Sequence, residues 1–135
     1  VVSKSIHRVL NGLSPELYDG GDQTRCFTYI DDVIDGLILA ATLDAAIGEV
    51  INLGNPVEND MSEVVDAVLS AANSDLPVIN ILTSEKYGGV YEDIPRRVPA
   101  VDKAYELLGW KPKTSMKEGV SKTISWAQNN EWYLD

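Results

Sequence analysis

Residues 19–33 read DGGDQTRCFTYIDDV, a stretch that combines a turn, a strand and the beginning of a helix. The glycines and aspartate of 20–22 are typical of a turn. Aromatic and β-branched residues in 25–30 predict a strand. Asp31 and Asp32 stand where a helix N-cap belongs. We expect the following helix to bury an apolar stripe at helical spacing, formed by Val33, Ile34, Leu37, Ile38 and Ala41.

On both sides of this stretch, short β-like runs alternate with helical runs, which is the rhythm of an α/β protein. Besides 25–30, the pattern predicts strands at 16–19, 49–53 and 78–82. It predicts helices at 2–10, 31–41, 102–108 and 116–129, with a long loop over 83–100. No linker interrupts the pattern, so we predict a single domain over residues 1–135.

A further helix is predicted after residue 60, where Asp60 or Ser62 can cap it. Glu63 follows Asp60 by three residues, which is close to a capping box. The predicted buried stripe of this helix is formed by Val64, Val65, Val68, Leu69 and Ala72.

Composition narrows the class of function. The chain has 135 residues, 44% of them hydrophobic, and a formal net charge of −10. Such acidity disfavours binding to nucleic acid or to an anionic membrane surface. No apolar run approaches the roughly 20 residues of a membrane span, and no signal peptide is visible. With a single cysteine, these features predict a cytoplasmic protein.

Common catalytic and metal-binding patterns are missing from the sequence. His7 is the only histidine, no nucleophile elbow occurs, and no pair of histidines or cysteines has the spacing of a zinc site. We therefore predict no metal. Arg25, Arg96 and Arg97 border a turn and a loop, where their planar forks could bind a diphosphate. The alternative is that Arg25 pairs with Asp31 or Asp32 and that the other two are solvated charges.

Several segments together resemble one family. Residues 19–33 are similar to the "dG-x-QtRdf-x-yvdDv" segment of the extended short-chain dehydrogenases/reductases, the NAD-dependent nucleotide-sugar epimerases, dehydratases and decarboxylases. Residues 49–55 resemble the family's strand that ends in an Asn-x-Gly turn, and 102–112 resemble its "d-x-x-Ka-x-x-x-LGW-x-P" signature. The segment 116–126 resembles its closing helix.

Within that family, residues 87–99 most resemble UDP-glucuronate decarboxylases of the lipid A-modifying type. Ala100 stands where epimerases often have a ribose-binding aspartate, which weakens an epimerase interpretation. Decarboxylation, epimerisation and dehydration all stay open.

The resemblance also implies site residues. Residues 16–25 would line the nucleotide-sugar site, with Arg25 on the diphosphate and with substrate contacts from Glu16, Leu17, Tyr18 and Gln23. Tyr91 would lie near the nucleotide or sugar. Arg97 would contact the diphosphate, or act as an acid or charge stabiliser in decarboxylase-like members.

Two family features are absent from the sequence: the Gly-x-x-Gly-x-x-Gly turn that binds NAD and the catalytic Tyr-x-x-x-Lys. The resemblance therefore implies a small substrate-binding C-terminal lobe that lacks the N-terminal Rossmann region, binds a UDP-sugar, and is inactive by itself without its Rossmann partner and NAD. Two alternatives remain: a stand-alone module that binds a nucleotide or forms homo-oligomers through exposed apolar surface, and a piece with no function of its own.

Overall fold

The computed structural model of the chain describes residues 1–88, 94 and 96–134. The helices in this part of the chain are α1 (Val2–Leu10), α2 (Ile30–Thr42), α3 (Met61–Ala71), α4 (Thr83–Tyr87), α5 (Asp102–Leu108) and α6 (Met116–Gln128). The strands are β1 (Glu16–Tyr18), β2 (Thr24–Cys26), β3 (Glu58–Asp60) and β4 (Ile79–Ile81). None of these helices has both the length and the apolar character needed to cross a bilayer.

The strands form two separate pairs. β1 runs parallel to β4, with Glu16 opposite Ile79 and Tyr18 opposite Ile81. β2 runs antiparallel to β3, with Thr24 opposite Asp60 and Cys26 opposite Glu58. The predicted α/β class is confirmed. The short 3₁₀ turn Asp19–Gly21 lies between β1 and β2 and so connects the two strand pairs. It overlaps the turn that the sequence predicted at 20–22.

The main core lies between α1, α3 and α6. Three residues of the stripe predicted for α3 are buried there, since Val64 and Val68 have no exposed surface and Val65 is 1% exposed. The other two, Leu69 and Ala72, are only partly buried, and Ala72 is the C-cap residue. The capping box is also confirmed, because Asp60 accepts a hydrogen bond from the backbone N–H of Glu63 and Glu63 accepts one from that of Asp60. Other buried members of this core are Ile6, Val9, Leu17, Met61, Ala67, Met116, Val120, Ile124 and Ala127.

A smaller core surrounds Trp110, which packs with Ala104 and Leu108 of α5. The Trp110 indole N–H donates to the backbone carbonyl of Asp32 at 2.8 Å. One oxygen of the buried Asp32 carboxylate accepts the backbone N–H groups of Lys113 (3.1 Å) and Thr114 (2.9 Å). These bonds fasten the beginning of α2 to the loop after α5, so two of the motifs in the sequence meet in space.

The predicted orientation of α2 is wrong. Its apolar stripe is exposed, with Ile34 44%, Leu37 56% and Ile38 57% accessible, whereas Asp32 and Gly36 are buried. Gly36 explains this, because a Cβ at that position would lie only 2.9 Å from a Leu53 methyl group and 3.0 Å from the Trp110 indole nitrogen. The helix approaches the small core through its smallest residue and leaves its larger apolar side chains outside.

The N-cap prediction for α2 is also wrong. Tyr29 occupies the cap without a side-chain hydrogen bond, and Asp31 and Asp32 lie in the first turn. The predicted strand at 25–30 is observed only as β2, Thr24–Cys26, whose three residues are those that pair with β3, and Ile30 already belongs to α2.

Residues 49–53, predicted as a strand, form none. A strand requires a hydrogen-bonded neighbour, and the pairs that the described residues form are β1 with β4 and β2 with β3. Val50 in this segment is 85% exposed. Two elements that the sequence did not predict are β3 and the short α4 within the expected loop.

Candidate functional site

A cavity of about 590 Å³ opens beside β1 and the chain leading through β2. It brings together five residues that the sequence predicted for substrate binding: Glu16, Leu17, Tyr18, Gln23 and Arg25. Phe27 and Met61 add apolar wall, and Asp19 and Thr83 lie at the edge formed by the turn and α4. Their contact with a ligand stays a prediction, but their convergence on one cavity is a property of the fold.

The β1 side of the cavity carries a group of charges centred on Glu16. The Nη1 atom of Arg8 lies 3.0 Å from its Oε1, and the ammonium groups of Lys4 and Lys86 both contact its Oε2. The Tyr18 hydroxyl donates to the same Oε2 at 2.7 Å. The hydrogen bonds from Lys4 and then from Tyr18 lower the pKa of Glu16 to about 2. Glu16 lines this cavity whereas Lys4, Arg8 and Lys86 do not, and the three cations offset the negative charge of its carboxylate.

The two lysines also contact Tyr18. The Nζ atom of Lys4 lies 5.5 Å from the centre of the Tyr18 ring and that of Lys86 lies 4.8 Å from it. Both ammonium groups donate to the Tyr18 hydroxyl. The pKa of Lys4 is raised chiefly by its hydrogen bond to Glu16, and that of Lys86 chiefly by its hydrogen bond to Tyr18. Tyr18 is thereby held in one orientation at the cavity wall.

The turn after β1 is held against α4. The Asp19 carboxylate accepts the backbone N–H of Thr83 at 2.9 Å and also the Thr83 hydroxyl. These two bonds, the hydroxyl first, lower the pKa of Asp19. The turn requires glycine at Gly21, where φ is +81° and a Cβ would approach the Leu17 side chain to 2.7 Å. Leu17 lines the cavity, so a larger residue at position 21 would displace a side chain of the cavity wall.

A second cavity, of about 520 Å³, is also bordered by Arg25. Arg25 and Arg97 both line it, together with Cys26, Asn52 and other residues of 52–54 and 98–100. Arg25 also donates from Nη1 to the carbonyl of Thr24 at 2.7 Å. The two arginines that the sequence predicted for a diphosphate therefore share one cleft, and Arg25 borders both cavities. Tyr91, the remaining predicted site residue, lies outside the described residues.

Arg96 behaves differently from its neighbour Arg97. Its guanidinium donates from Nε (3.1 Å) and Nη2 (2.7 Å) to Oε2 of Glu58 on β3. Arg96 is in neither cavity wall, so the predicted site of three arginines is reduced to two. Arg96 is largely exposed, as expected of a solvated charge, and is also ion-paired with Glu58.

The pKa values of two groups near Arg96, the Glu58 carboxylate and the Cys26 thiol, differ from their usual values. The Arg96 guanidinium first, and then the Thr24 hydroxyl, lower the pKa of Glu58. Burial first, and then the nearby Glu58 carboxylate, raise the pKa of the Cys26 thiol. A raised pKa keeps the thiol protonated, which makes Cys26 a poor nucleophile.

Sequence reasoning missed Lys4, Arg8, Lys86 and Glu58. Lys4 and Arg8 are four residues apart on α1, a spacing that places both on one helix face. The sequence contains no signal that this face meets Glu16 on β1, because that contact depends on how α1 and β1 pack.

The arrangement suits a ligand that has both a ring system and anionic groups. Leu17, Phe27 and Met61 provide apolar surface, Tyr18 provides an aromatic ring, and Arg25 borders the cavity with a guanidinium fork. Planar guanidinium groups bind phosphate oxygens in pairs. His7 is not part of this site, since its ring contacts Tyr133 edge-on at a centroid distance of 6.1 Å. In the described part of the chain, no three potential ligands cluster as a metal site would require.

Comparison with known families agrees with the motifs. The profile of the family described as GDP-mannose 4,6 dehydratase matches residues 1–123. The chain belongs to this family of extended short-chain dehydrogenases/reductases.

Individual relatives are similar over almost the whole chain. The UDP-N-acetyl-alpha-D-glucosaminuronate decarboxylase of Bacillus cytotoxicus is 32% identical over 97% of this chain and 40% of its own length. UDP-glucuronic acid decarboxylase 1 of Danio rerio is 33% identical over 93% of this chain and 28% of its own. The enzyme WbmF of Bordetella bronchiseptica, solved in complex with NAD+ and UDP, is 25% identical with a TM-score of 0.82, over 99% of this chain and 38% of that one.

The chain thus spans 40% or less of the length of these relatives. It is similar to NAD-dependent nucleotide-sugar epimerases, dehydratases and decarboxylases.

Proposed function

We propose that this chain is the nucleotide-sugar-binding portion of an NAD-dependent sugar epimerase, dehydratase or decarboxylase, and that its ligand is a UDP-sugar. The observation that carries the proposal is the position of Arg25, which borders both the cavity at Tyr18 and the cleft of Arg97. A nucleoside at Tyr18 would direct its phosphates toward the two arginines.

The contribution of such a portion is to hold and orient the substrate. Binding energy from the non-reacting nucleotide half accelerates a reaction when it places the reacting end correctly. The two relatives that are decarboxylases act, by their names, on UDP-linked uronic acids. They favour a UDP-linked uronic acid as the sugar.

The residues present do not fit NAD. The sequence has no Gly-x-x-Gly-x-x-Gly turn, and the helices in the described residues are not preceded by a glycine turn, since their N-cap residues are Val1, Tyr29, Asp60, Leu82, Val101 and Ser115. A glycine turn at a helix N-terminus is what this fold class uses for the NAD pyrophosphate. We therefore assign no hydride-transfer step to these residues and propose a Rossmann region as the partner that supplies it.

Calorimetric titration of the chain with UDP tests the proposal. We expect weak binding in the wild type and its loss in Arg25→Ala, because a guanidinium fork on the diphosphate is removed. Lys103→Ala is a matched control, since Lys103 is ion-paired with Glu49 and lines neither cavity. If wild type and Arg25→Ala both ignored UDP at millimolar concentration, the proposal would fail.

The second candidate, a stand-alone module that self-associates, is favoured by the exposed face of α2. Ile30, Ile34, Leu37 and Ile38 are 44–60% exposed on one helix. A contiguous apolar face of this kind marks an interaction surface. Either a Rossmann region or a second copy of the chain would cover it.

A further inference from the structure

The Glu58 carboxylate holds the segments of both predicted diphosphate-binding arginines. Its Oε1 accepts the Thr24 hydroxyl at 2.8 Å, and its Oε2 accepts the Arg96 guanidinium at 2.7 and 3.1 Å. Thr24 directly precedes Arg25, and Arg96 directly precedes Arg97. One side chain therefore bridges two parts of the chain that are about 70 residues apart in sequence.

Glu58 itself lies outside the site. Neither Glu58, Thr24 nor Arg96 is in the wall of either cavity, whereas Arg25 and Arg97 share the wall of one. Glu58 can therefore act on a ligand only indirectly, and its two side-chain contacts are to the residues that directly precede Arg25 and Arg97. We propose that Glu58 is a positioning residue that sets the separation of Arg25 and Arg97 for a diphosphate; this inference rests on the proposed function.

Glu58 is connected to the main core through the capped N-terminus of α3. Glu58 is two residues before Asp60, which caps α3 through the capping box with Glu63. The Ser62 hydroxyl also donates to Asp60 at 2.6 Å. α3 buries Met61, Val64, Val65, Ala67 and Val68 in the main core, and β3 directly precedes this helix.

The far end of the Arg97 segment has separate anchors. Asn52 donates from Nδ2 to the carbonyl of Ala100 at 3.2 Å. Pro99 packs so closely on Gly54 that a Cβ there would lie 2.9 Å from the proline ring. Loss of Glu58 would consequently free the Arg96 end of the segment and leave 99–100 attached, which moves Arg97 without unfolding the domain.

The expected consequence depends on the number of phosphates in the ligand. A diphosphate reaches both arginines and is sensitive to their separation, whereas a monophosphate can be held by one. We expect Glu58→Ala to weaken UDP binding about tenfold and UMP binding less than twofold. Glu58→Gln keeps an acceptor for Thr24 but loses the charge facing Arg96, so it should fall between wild type and Glu58→Ala.

Calorimetric titration with UDP and UMP tests the inference on wild type, Glu58→Ala, Glu58→Gln and Arg96→Ala. Glu49→Gln is the matched control, because Glu49 also pairs with an exposed cation, Lys103, and lines neither cavity. The double variant Glu58→Ala/Arg96→Ala should weaken UDP binding no more than the stronger of the two single variants does. Both substitutions remove the same contact, the one between Glu58 and Arg96. Thermal unfolding verifies that each variant is folded.

Selective loss of UDP affinity with a non-additive double variant supports the inference. Equal loss of UDP and UMP affinity, no loss of either, or additive effects would overturn it while leaving the proposed function in place. Failure of the wild type to bind UDP would overturn both.

Discussion

At the scale of single residues, two carboxylates join parts of the chain that are far apart in sequence. Glu16 binds Lys4 and Arg8 of α1 and Lys86 of α4. Asp32 binds the backbone of the loop after α5. A buried or half-buried carboxylate is stable only when such donors satisfy it. Glu16 therefore stabilises the wall of the candidate site, and Asp32 stabilises the small core.

The first prediction concerns the pH dependence of stability at Glu16. Its pKa falls from 4.5 to about 2 on folding, so its stabilising contribution is complete above about pH 4.5 and is lost as the pH falls toward 2. We expect Glu16→Gln to be less stable than wild type by about 2 kcal/mol at pH 7. The difference should shrink steadily below pH 4.5, as measured by urea unfolding between pH 2 and 7.

Glu118→Gln is the control for this prediction. Glu118 forms an exposed ion pair with Lys122 on α6 at 2.8 Å, and exposed pairs of this kind contribute little to stability because water screens them. Parallel stability curves for wild type and Glu16→Gln across the acid range would contradict the assigned role of Glu16.

At the scale of elements, α2 and α3 show when a periodic hydrophobic pattern is sufficient to predict which face of a helix is buried. In α3 the apolar stripe, the capping residue and the buried face all agree. In α2 the stripe is equally regular, but Gly36 and Asp32 face the interior instead. The hydrophobic pattern identifies an apolar face, and close packing at a glycine decides which face meets this particular neighbour.

The second prediction tests the cap of α3. Asp60→Ala removes the side-chain acceptor for the backbone N–H of Glu63, which lies 2.7 Å away. We expect a loss of about 1 kcal/mol in the free energy of unfolding, measured by urea unfolding at pH 7. Asp66→Ala, an exposed change on the same helix, should stay within about 0.5 kcal/mol. Equal effects of the two substitutions would argue against the cap.

At the scale of the whole molecule, two cores leave one apolar face uncovered. The main core is enclosed by α1, α3 and α6, and the small core lies around Trp110. The outer face of α2 and the segment around Val50 remain exposed. Both features become understandable if another protein surface packs there, which is the role that we propose for a Rossmann region or a second copy.

The third prediction addresses this face. The double variant Leu37→Lys/Ile38→Lys should unfold within about 0.5 kcal/mol of wild type, since both side chains are already more than half exposed. If the face binds a second copy, wild type should self-associate in sedimentation experiments and the double variant should remain monomeric at the same concentrations. By contrast, Val68→Ala in the main core should cost about 2 kcal/mol. A large loss of stability in the lysine variant would mean that the face is buried after all.

Much of the candidate site could be expected from the sequence, because the family resemblance implies Glu16, Leu17, Tyr18, Gln23 and Arg25, and these five residues lie within ten positions of one another. Residues so close in the chain, joined by a tight turn, have few ways to separate. Arg97 could be expected from the family resemblance, whereas the placement of Glu58 beside β2 depends on the β2–β3 pairing. No local pattern encodes that pairing.

The sequence alone was enough to determine the α/β class, the family, the cap of α3 and most of its buried face, and it indicated five of the residues that line the first cavity. These features depend on short-range periodicity, turn chemistry and motifs that are contiguous in the chain. Only the tertiary structure decided which face of α2 is buried, that 49–53 forms no strand, that Arg96 pairs with Glu58, and that Lys4, Arg8 and Lys86 surround Glu16. The physical reason is that each of these depends on which neighbour packs against a residue, and packing partners come from distant parts of the chain.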